Sequence, residues 1–179
     1  LTIVHNGNIT NISVLTQKRY ESDAEFLVEI LGKKIEEAEG ELVRAVDMLM
    51  KEVDGSYSIV GIFKDILFAF RDPRGLRPLV IGTKNKMTVI ASESIVLQNM
   101  GIMEFQDVEP GELIIIDGIN LKKKKIRNND HAHCMFEYVY FANPCSIMEN
   151  SLVYSVRVRL GEILGKRIEK KNWEIDYIV

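Results

Sequence analysis

Asn6 and Gly7 are the residues whose types and spacing most directly spell chemistry. They stand in the run His5-Asn6-Gly7-Asn8-Ile9-Thr10-Asn11, behind the apolar stretch Leu1-Thr2-Ile3-Val4, so the run reads as the turn that ends a strand. Asn-Gly favours a tight turn with positive φ, and it sets a side-chain amide beside a backbone N–H that no side chain shields. Two neutral donors at fixed spacing are what an acyl-transfer site needs for the oxyanion of a tetrahedral intermediate. The bland alternative is an ordinary hairpin turn. Asp23 is a second candidate, a carboxylate at the start of a helical pattern, where favouring the helix macrodipole would be reason enough for it. His131, His133 and Cys134 are close enough along the chain to suggest a metal, but their spacing matches no usual zinc pattern, and a surface loop with a buried thiol is the reading kept. The lysines at 122–125 read as a solvated hairpin in preference to a phosphate or nucleic-acid site.

The elements that must position these residues follow from periodicity. Ser22 with Glu25 three residues later is a capping box, and Phe26, Leu27, Ile30, Leu31 and Ile35 recur at helical spacing behind it. A short helix is expected over 11–20. Glu41 opens another, with Leu42, Val43, Val46, Leu49, Met50 and Val53 apolar, stopped by Asp54-Gly55. Two amphipathic helices in succession imply one shared layer. From Ser56 the period changes to strands: hairpins at 57–70 and 79–90, a brief helix over 94–100, and a third hairpin around Asp117-Gly118. Residues 136–141 read as a strand, broken by Asn143-Pro144. A helix is expected over 151–171 with Val153, Val156, Leu160, Ile163, Leu164 and Ile168 buried, then a strand over 173–179. Helices on an antiparallel sheet, with no strand–helix alternation, argue for α+β architecture.

Composition narrows the class. With 179 residues, 46% apolar and 27% charged, the chain has the balance of a soluble globular protein. A net charge of −3 and a pI near 5.7 give no reason to expect nucleic acid or an anionic membrane as partner. No apolar run is long enough to span a bilayer, and a cytoplasmic location is the default. Cys134 and Cys145 are too few for a disulfide framework.

The His5–Asn11 run resembles the His-Asn-Gly motif of class II glutamine amidotransferases, and its Asn-Ile-Thr-Asn continuation is similar to the amidophosphoribosyltransferase branch of that family. The likeness continues in order: Ser22-Asp23-Ala24-Glu25, Gly55-Ser56-Tyr57-Ser58, Arg71-Asp72-Pro73-Arg74-Gly75-Leu76-Arg77-Pro78-Leu79, Ala91-Ser92-Glu93-Ser94, Pro110-Gly111-Glu112, and the run from Cys134 to Ala142. Any one of these is weak, whereas the ordered set covers nearly the whole chain.

The resemblance implies an N-terminal-nucleophile hydrolase fold, antiparallel sheets covered by helices. Residues 1–135 would be the C-terminal part of a glutaminase domain, and 136–179 the crossover and start of a truncated phosphoribosyltransferase domain. It implies that Asn6 and Gly7 form the oxyanion hole and that Asp23 holds the α-ammonium of glutamine. Ammonia released from glutamine would pass to phosphoribosyl pyrophosphate, giving phosphoribosylamine, the first committed step of purine synthesis, in an intact protein that is a homo-oligomer. Magnesium would serve the missing phosphoribosyl site, and Cys134 stands where some members place an iron–sulfur ligand. The family's nucleophile is an N-terminal cysteine, whereas this chain begins at Leu1, so it reads as a fragment expected to hydrolyse no glutamine alone. Two positions depart from the pattern: Asn143 and Cys145 replace the family's Arg and Asp. The alternatives left open are another class II amidotransferase, of the glucosamine-phosphate synthase or asparagine synthetase type, and a non-catalytic domain that kept the fold for interaction or regulation.

Overall fold

The computed structural model describes residues 1–127, 130–171, 173, 176 and 177. Strand β1 (Thr2–Ile9) is followed by a four-residue helix α1 (Ile12–Leu15), much shorter than the 11–20 span suggested, and by helices α2 (Asp23–Glu37) and α3 (Leu42–Glu52). Then come β2 (Gly55–Phe63), β3 (Ile66–Arg71), β4 (Val80–Lys84), β5 (Met87–Ala91), α4 (Ser94–Asn99), β6 (Phe105–Asp107), β7 (Glu112–Asp117) and β8 (Asn120–Lys125). The chain ends in a π-helical turn at Glu137–Phe141, two short strands β9 (Ile147–Met148) and β10 (Ser151–Leu152), and helix α5 (Val153–Glu169).

Two antiparallel sheets stack between helices. One is five-stranded in the order β1-β2-β3-β7-β8, the other three-stranded in the order β5-β4-β6. Helices α2 and α3 lay Leu27, Leu31, Val46 and Leu49 on Tyr57, Ile59, Phe68, Phe70 and Leu113 of the larger sheet. Strand alternation puts Ala69 and Ile114 on its opposite face, against Leu79, Ile81 and Val108. On the far side of the smaller sheet, Leu97 of α4 packs on Val80 and Ile102. The result is a helix–sheet–sheet–helix sandwich of α+β class, with β1 the edge strand of the larger sheet among the described residues.

The capping box forms, with one shift. Ser22 Oγ accepts the Glu25 N–H at 3.3 Å, while the Glu25 carboxylate reaches past the cap to the Glu21 N–H at 2.8 Å. Strand β6 and the β9–β10 pair lack the length for a readable period and went unpredicted.

The tail differs from its sequence reading. Residues 136–141 form helical turns, not a strand, closed by the Ala142 N–H on the Glu137 carbonyl at 3.0 Å. Aromatic and β-branched content suggests a strand here, but the Glu137 carboxylate is drawn inward to Arg77 at 2.6 Å, and that tertiary contact decides. Helix α5 forms where expected, yet only Val153 of its apolar set is buried; Leu160, Ile163 and Leu164 are exposed, since no described element packs on them. The strand expected over 173–179 falls largely outside the described residues. No helix among the described residues is long and apolar enough to cross a membrane.

Candidate functional site

The Asn6-Gly7 pair does not make a turn. It lies inside β1, with Asn6 opposite Ser58 and Gly7 opposite Tyr57 of β2. What the sequence registers as a turn signal is a close approach: Gly7 sits at φ +154°, and a Cβ there would fall 1.9 Å from the Ser56 carbonyl oxygen. Glycine is demanded by this contact. Strand period also separates the two residues by face. Asn6 points toward the smaller sheet, where its Nδ2 donates to Ser92 Oγ at 3.2 Å.

The N–H groups of β1 alternate between its partner and open space. Thr10 N–H donates inward to the Asp54 carbonyl at 2.9 Å, while Ile9 N–H donates outward to Asp23 Oδ2 at 2.7 Å. By the same alternation, the Gly7 N–H points to the open edge, as Ile9's does. The cap at Ser22 begins α2 so that Asp23, in its first turn, meets the end of β1. Asp23 is thus tied to the strand two residues beyond Gly7, a displacement of about 6.6 Å at strand rise.

His5 completes the neighbourhood. Its Nε2 is buried without a hydrogen-bond partner among the described residues and would lie 2.8 Å from a Cβ on Gly7. Burial holds the imidazole below its usual pKa, against the opposing pull of the Asp23 carboxylate and the Ser56 carbonyl, with the Arg77 guanidinium adding to the depression. A neutral His5 therefore fills the space that the absent side chain of Gly7 leaves. Neither His5 nor Ser92 received a role from the sequence, although both stand inside its motifs.

Two clefts flank these residues. A groove of about 750 Å³ runs along Thr16, Lys18, Arg19 and Tyr20 and ends on Asp23. Another of about 610 Å³ is lined by Asn8, Ser56, Asp72, Arg74, Arg77 and Cys134. Asn6 and Gly7 line neither. Cys134 is half-buried and lines the second cleft, whereas Cys145 is exposed.

The loop after β3 is a polar knot that shapes this end of the sandwich. Asp72, 1% exposed, accepts the N–H groups of Tyr57, Arg74 and Leu76 at 3.3, 2.9 and 3.0 Å. Arg71, equally buried, donates to the carbonyls of Gly75, Arg77 and Val108 at 2.7, 2.8 and 2.6 Å and to Glu149 at 3.1 Å. At the two departures from the family pattern, the Asn143 side chain accepts the Cys145 N–H at 2.9 Å, a local turn that needs no ion pair.

Residues 1–99, which run from β1 through α4 and carry Asn6, Gly7 and Asp23, match the glutamine amidotransferase domain, and the chain belongs to that family. Its relatives carry a more specific name. The amidophosphoribosyltransferase of Pasteurella multocida is 36% identical, covering 99% of this chain and 40% of its own, and that of Escherichia coli K12 is 34% identical over 100% of this chain and 40% of its own. Among solved structures, the glutamine phosphoribosylpyrophosphate amidotransferase of B. subtilis complexed with ADP and GMP superposes with a TM-score of 0.80 at 28% identity, over 92% of this chain and 37% of that one. The chain thus spans about two fifths of the length of these relatives.

Proposed function

We propose that this chain is the glutamine-binding edge and crossover of an amidophosphoribosyltransferase, which takes ammonia from glutamine and transfers it to phosphoribosyl pyrophosphate. The name shared by the relatives favours this branch over other class II amidotransferases. The observation that carries the reading is the Ile9 N–H···Asp23 bond on the open edge of β1. It sets a carboxylate about 6.6 Å along the strand from the Gly7 N–H. Standard bond lengths put the α-nitrogen and the side-chain carbonyl oxygen of an extended glutamine roughly 6 Å apart.

In this reading the Asp23 carboxylate, with lone pairs to spare after Ile9, binds the α-ammonium. The second N–H of the Asn6 amide, the first being held by Ser92, and the Gly7 N–H donate to the oxygen that becomes negative when the amide carbon is attacked. The attacking thiol comes from outside these 179 residues, and so does the magnesium site for the pyrophosphate. Cys134, which lines the cleft, would be the thiolate this chain gives to an iron–sulfur cluster, whose other ligands would come from outside these 179 residues.

The test is Asn6→Ala in the full-length protein that carries this chain. Glutamine-dependent synthesis of phosphoribosylamine falls by about a hundredfold or more, while synthesis from free ammonia is retained. Equal loss of both would overturn the assignment. The isolated chain is expected to release no glutamate from glutamine, and measurable release would place the nucleophile inside it.

A further inference from the structure

Away from β1, three side chains with metal-binding chemistry converge on one point. The Nε2 atoms of His131 and His133 lie 3.6 and 3.5 Å from the same oxygen of Glu149, Oε1, and the three atoms lie within 4.8 Å of one another. These separations are too long for hydrogen bonds. They are close to the edge of a ligand tetrahedron, about 3.3–3.4 Å for metal–ligand bonds of 2.0–2.1 Å. We propose that His131, His133 and Glu149 form a binding site for a zinc-class divalent ion, which clamps the segment before the crossover to the turn between β9 and β10.

The backbone is built to present these ligands. The N–H groups of Ala132 and Cys134 donate to the carbonyls of Arg74 and Leu76 at 3.0 and 3.2 Å, which straps 131–134 along the polar loop in an extended course. Residues two apart in such a course face the same way, which puts both imidazoles on one side. The edge of the His133 ring stands against Tyr138, at 6.1 Å and 88°, and Tyr138 is in turn anchored by its hydroxyl on the Met148 carbonyl at 2.9 Å. Packing against this anchored ring restricts the rotamers open to His133.

Glu149 supplies an independent observation. It and Asn150 sit at φ +45° and +61°, the two central positions of a tight hairpin turn where glycine, asparagine and aspartate are usual. A glutamate held there is strained. The ion pair with Arg71 accounts for a carboxylate at this position, but not for two imidazoles aimed at the same oxygen.

Charge and donor chemistry agree with a dication of this class. Glu149 and Asp107, whose carboxylate accepts the Glu149 N–H at 3.0 Å, together outweigh the single charge of Arg71. Two imidazoles with one carboxylate suit zinc and its first-row neighbours, whereas magnesium and calcium prefer oxygen ligands alone. Three protein ligands leave a fourth position for water.

The test titrates the metal-free 179-residue chain with cobalt(II) as a spectroscopic stand-in, and then with zinc in competition. One ion per chain is expected, with the intense visible absorption of a tetrahedral site and no thiolate charge-transfer band. His131→Ala and His133→Ala, on side chains that hold no hydrogen bond among the described residues, each weaken binding by about a hundredfold or more with an unchanged far-ultraviolet dichroism spectrum. Cys134→Ser leaves affinity unchanged. Absence of stoichiometric binding, survival of binding in both histidine variants, or its loss in Cys134→Ser would each overturn the proposal.

Discussion

Gly7→Ala is the sharpest test of how β1 is held. A Cβ at that position falls 1.9 Å from the Ser56 oxygen and 2.7 Å from its carbon, where ordinary contact begins near 3.4 Å. Restoring contact requires β1 to move from β2 by about 1.5 Å, beyond what a ladder bond of about 2.9 Å tolerates. Two or three neighbouring bonds are then weakened, at about 1 kcal/mol each. An alanine at φ +154° adds about 1–3 kcal/mol of backbone strain. Together these come to about 3–6 kcal/mol, a large share of a typical domain's 5–15 kcal/mol or so. Gly118 is the internal control, at φ +57° with nothing within 4 Å of a Cβ, so Gly118→Ala should cost only about 1–2 kcal/mol. Urea unfolding of both variants reads the difference. If the two lose equal stability, the close approach of Ser56 does not explain the glycine, and the placement of β1 is wrong. The same arithmetic says that lost activity in Gly7→Ala would not report on an oxyanion hole, which is why Asn6 is the residue to test for chemistry.

Three further outcomes follow from the interior. Burial, with Glu149 nearby, pushes the Asp107 carboxyl up to about 6. A carboxyl whose folded pKa exceeds its unfolded value of about 3.9 destabilises the fold at higher pH, so Asp107→Asn should stabilise at pH 7.5 or so by on the order of 1–2 kcal/mol after allowing for solvent screening. That gain should vanish as pH falls through about 6 toward 4, and urea unfolding across this range that finds a constant difference, or a loss, contradicts the cause given. Asp72→Ala strands three backbone N–H groups and should cost about 3–4 kcal/mol, with Asp72→Asn costing less; a midpoint in urea within error of the parent would refute the knot. Leu49→Ala, at a fully buried position between α3 and the sheet, should cost about 2–5 kcal/mol, and a thermal scan showing no shift would mean that the helix layer does not pack as described.

Much of the architecture was legible because it is local. The Ser22 cap, the apolar stripes of α2 and α3, and the hairpins β2–β3, β4–β5 and β7–β8 each declare themselves within a dozen residues. Asp23 was readable for the same reason, as a first-turn carboxylate. The Asn6-Gly7 geometry was not: the dipeptide is identical whether glycine turns the chain or admits a carbonyl from a strand almost fifty residues away, and only the β1–β2 register tells them apart. Residues 136–141 failed for a related reason. Their alternation fits a strand, but Glu137 belongs to Arg77, sixty positions earlier. The apolar stripe of α5 was read correctly as a pattern and wrongly as burial, since a stripe states that a partner is needed without naming it.

Many of the long-range contacts the sequence could not disclose start from the Arg71–Leu79 loop. Arg71 binds carbonyls on its own loop and at Val108 and reaches Glu149; Arg77 takes Glu137; the Arg74 and Leu76 carbonyls hold the strap that carries His131 and His133. Glu93, at the start of α4, adds the Asn143 N–H and the Ser146 hydroxyl. The segment from His131 to Glu149 is therefore fixed to the sandwich through polar contacts from a loop whose Asp72 also grips Tyr57, opposite Gly7 in the β1–β2 register. A fully bonded buried arginine such as Arg71 loses hydrogen bonds, not just packing, when any one partner moves. The segment that leads out of the sandwich and the edge that carries Asn6 and Gly7 are thus held by one polar unit.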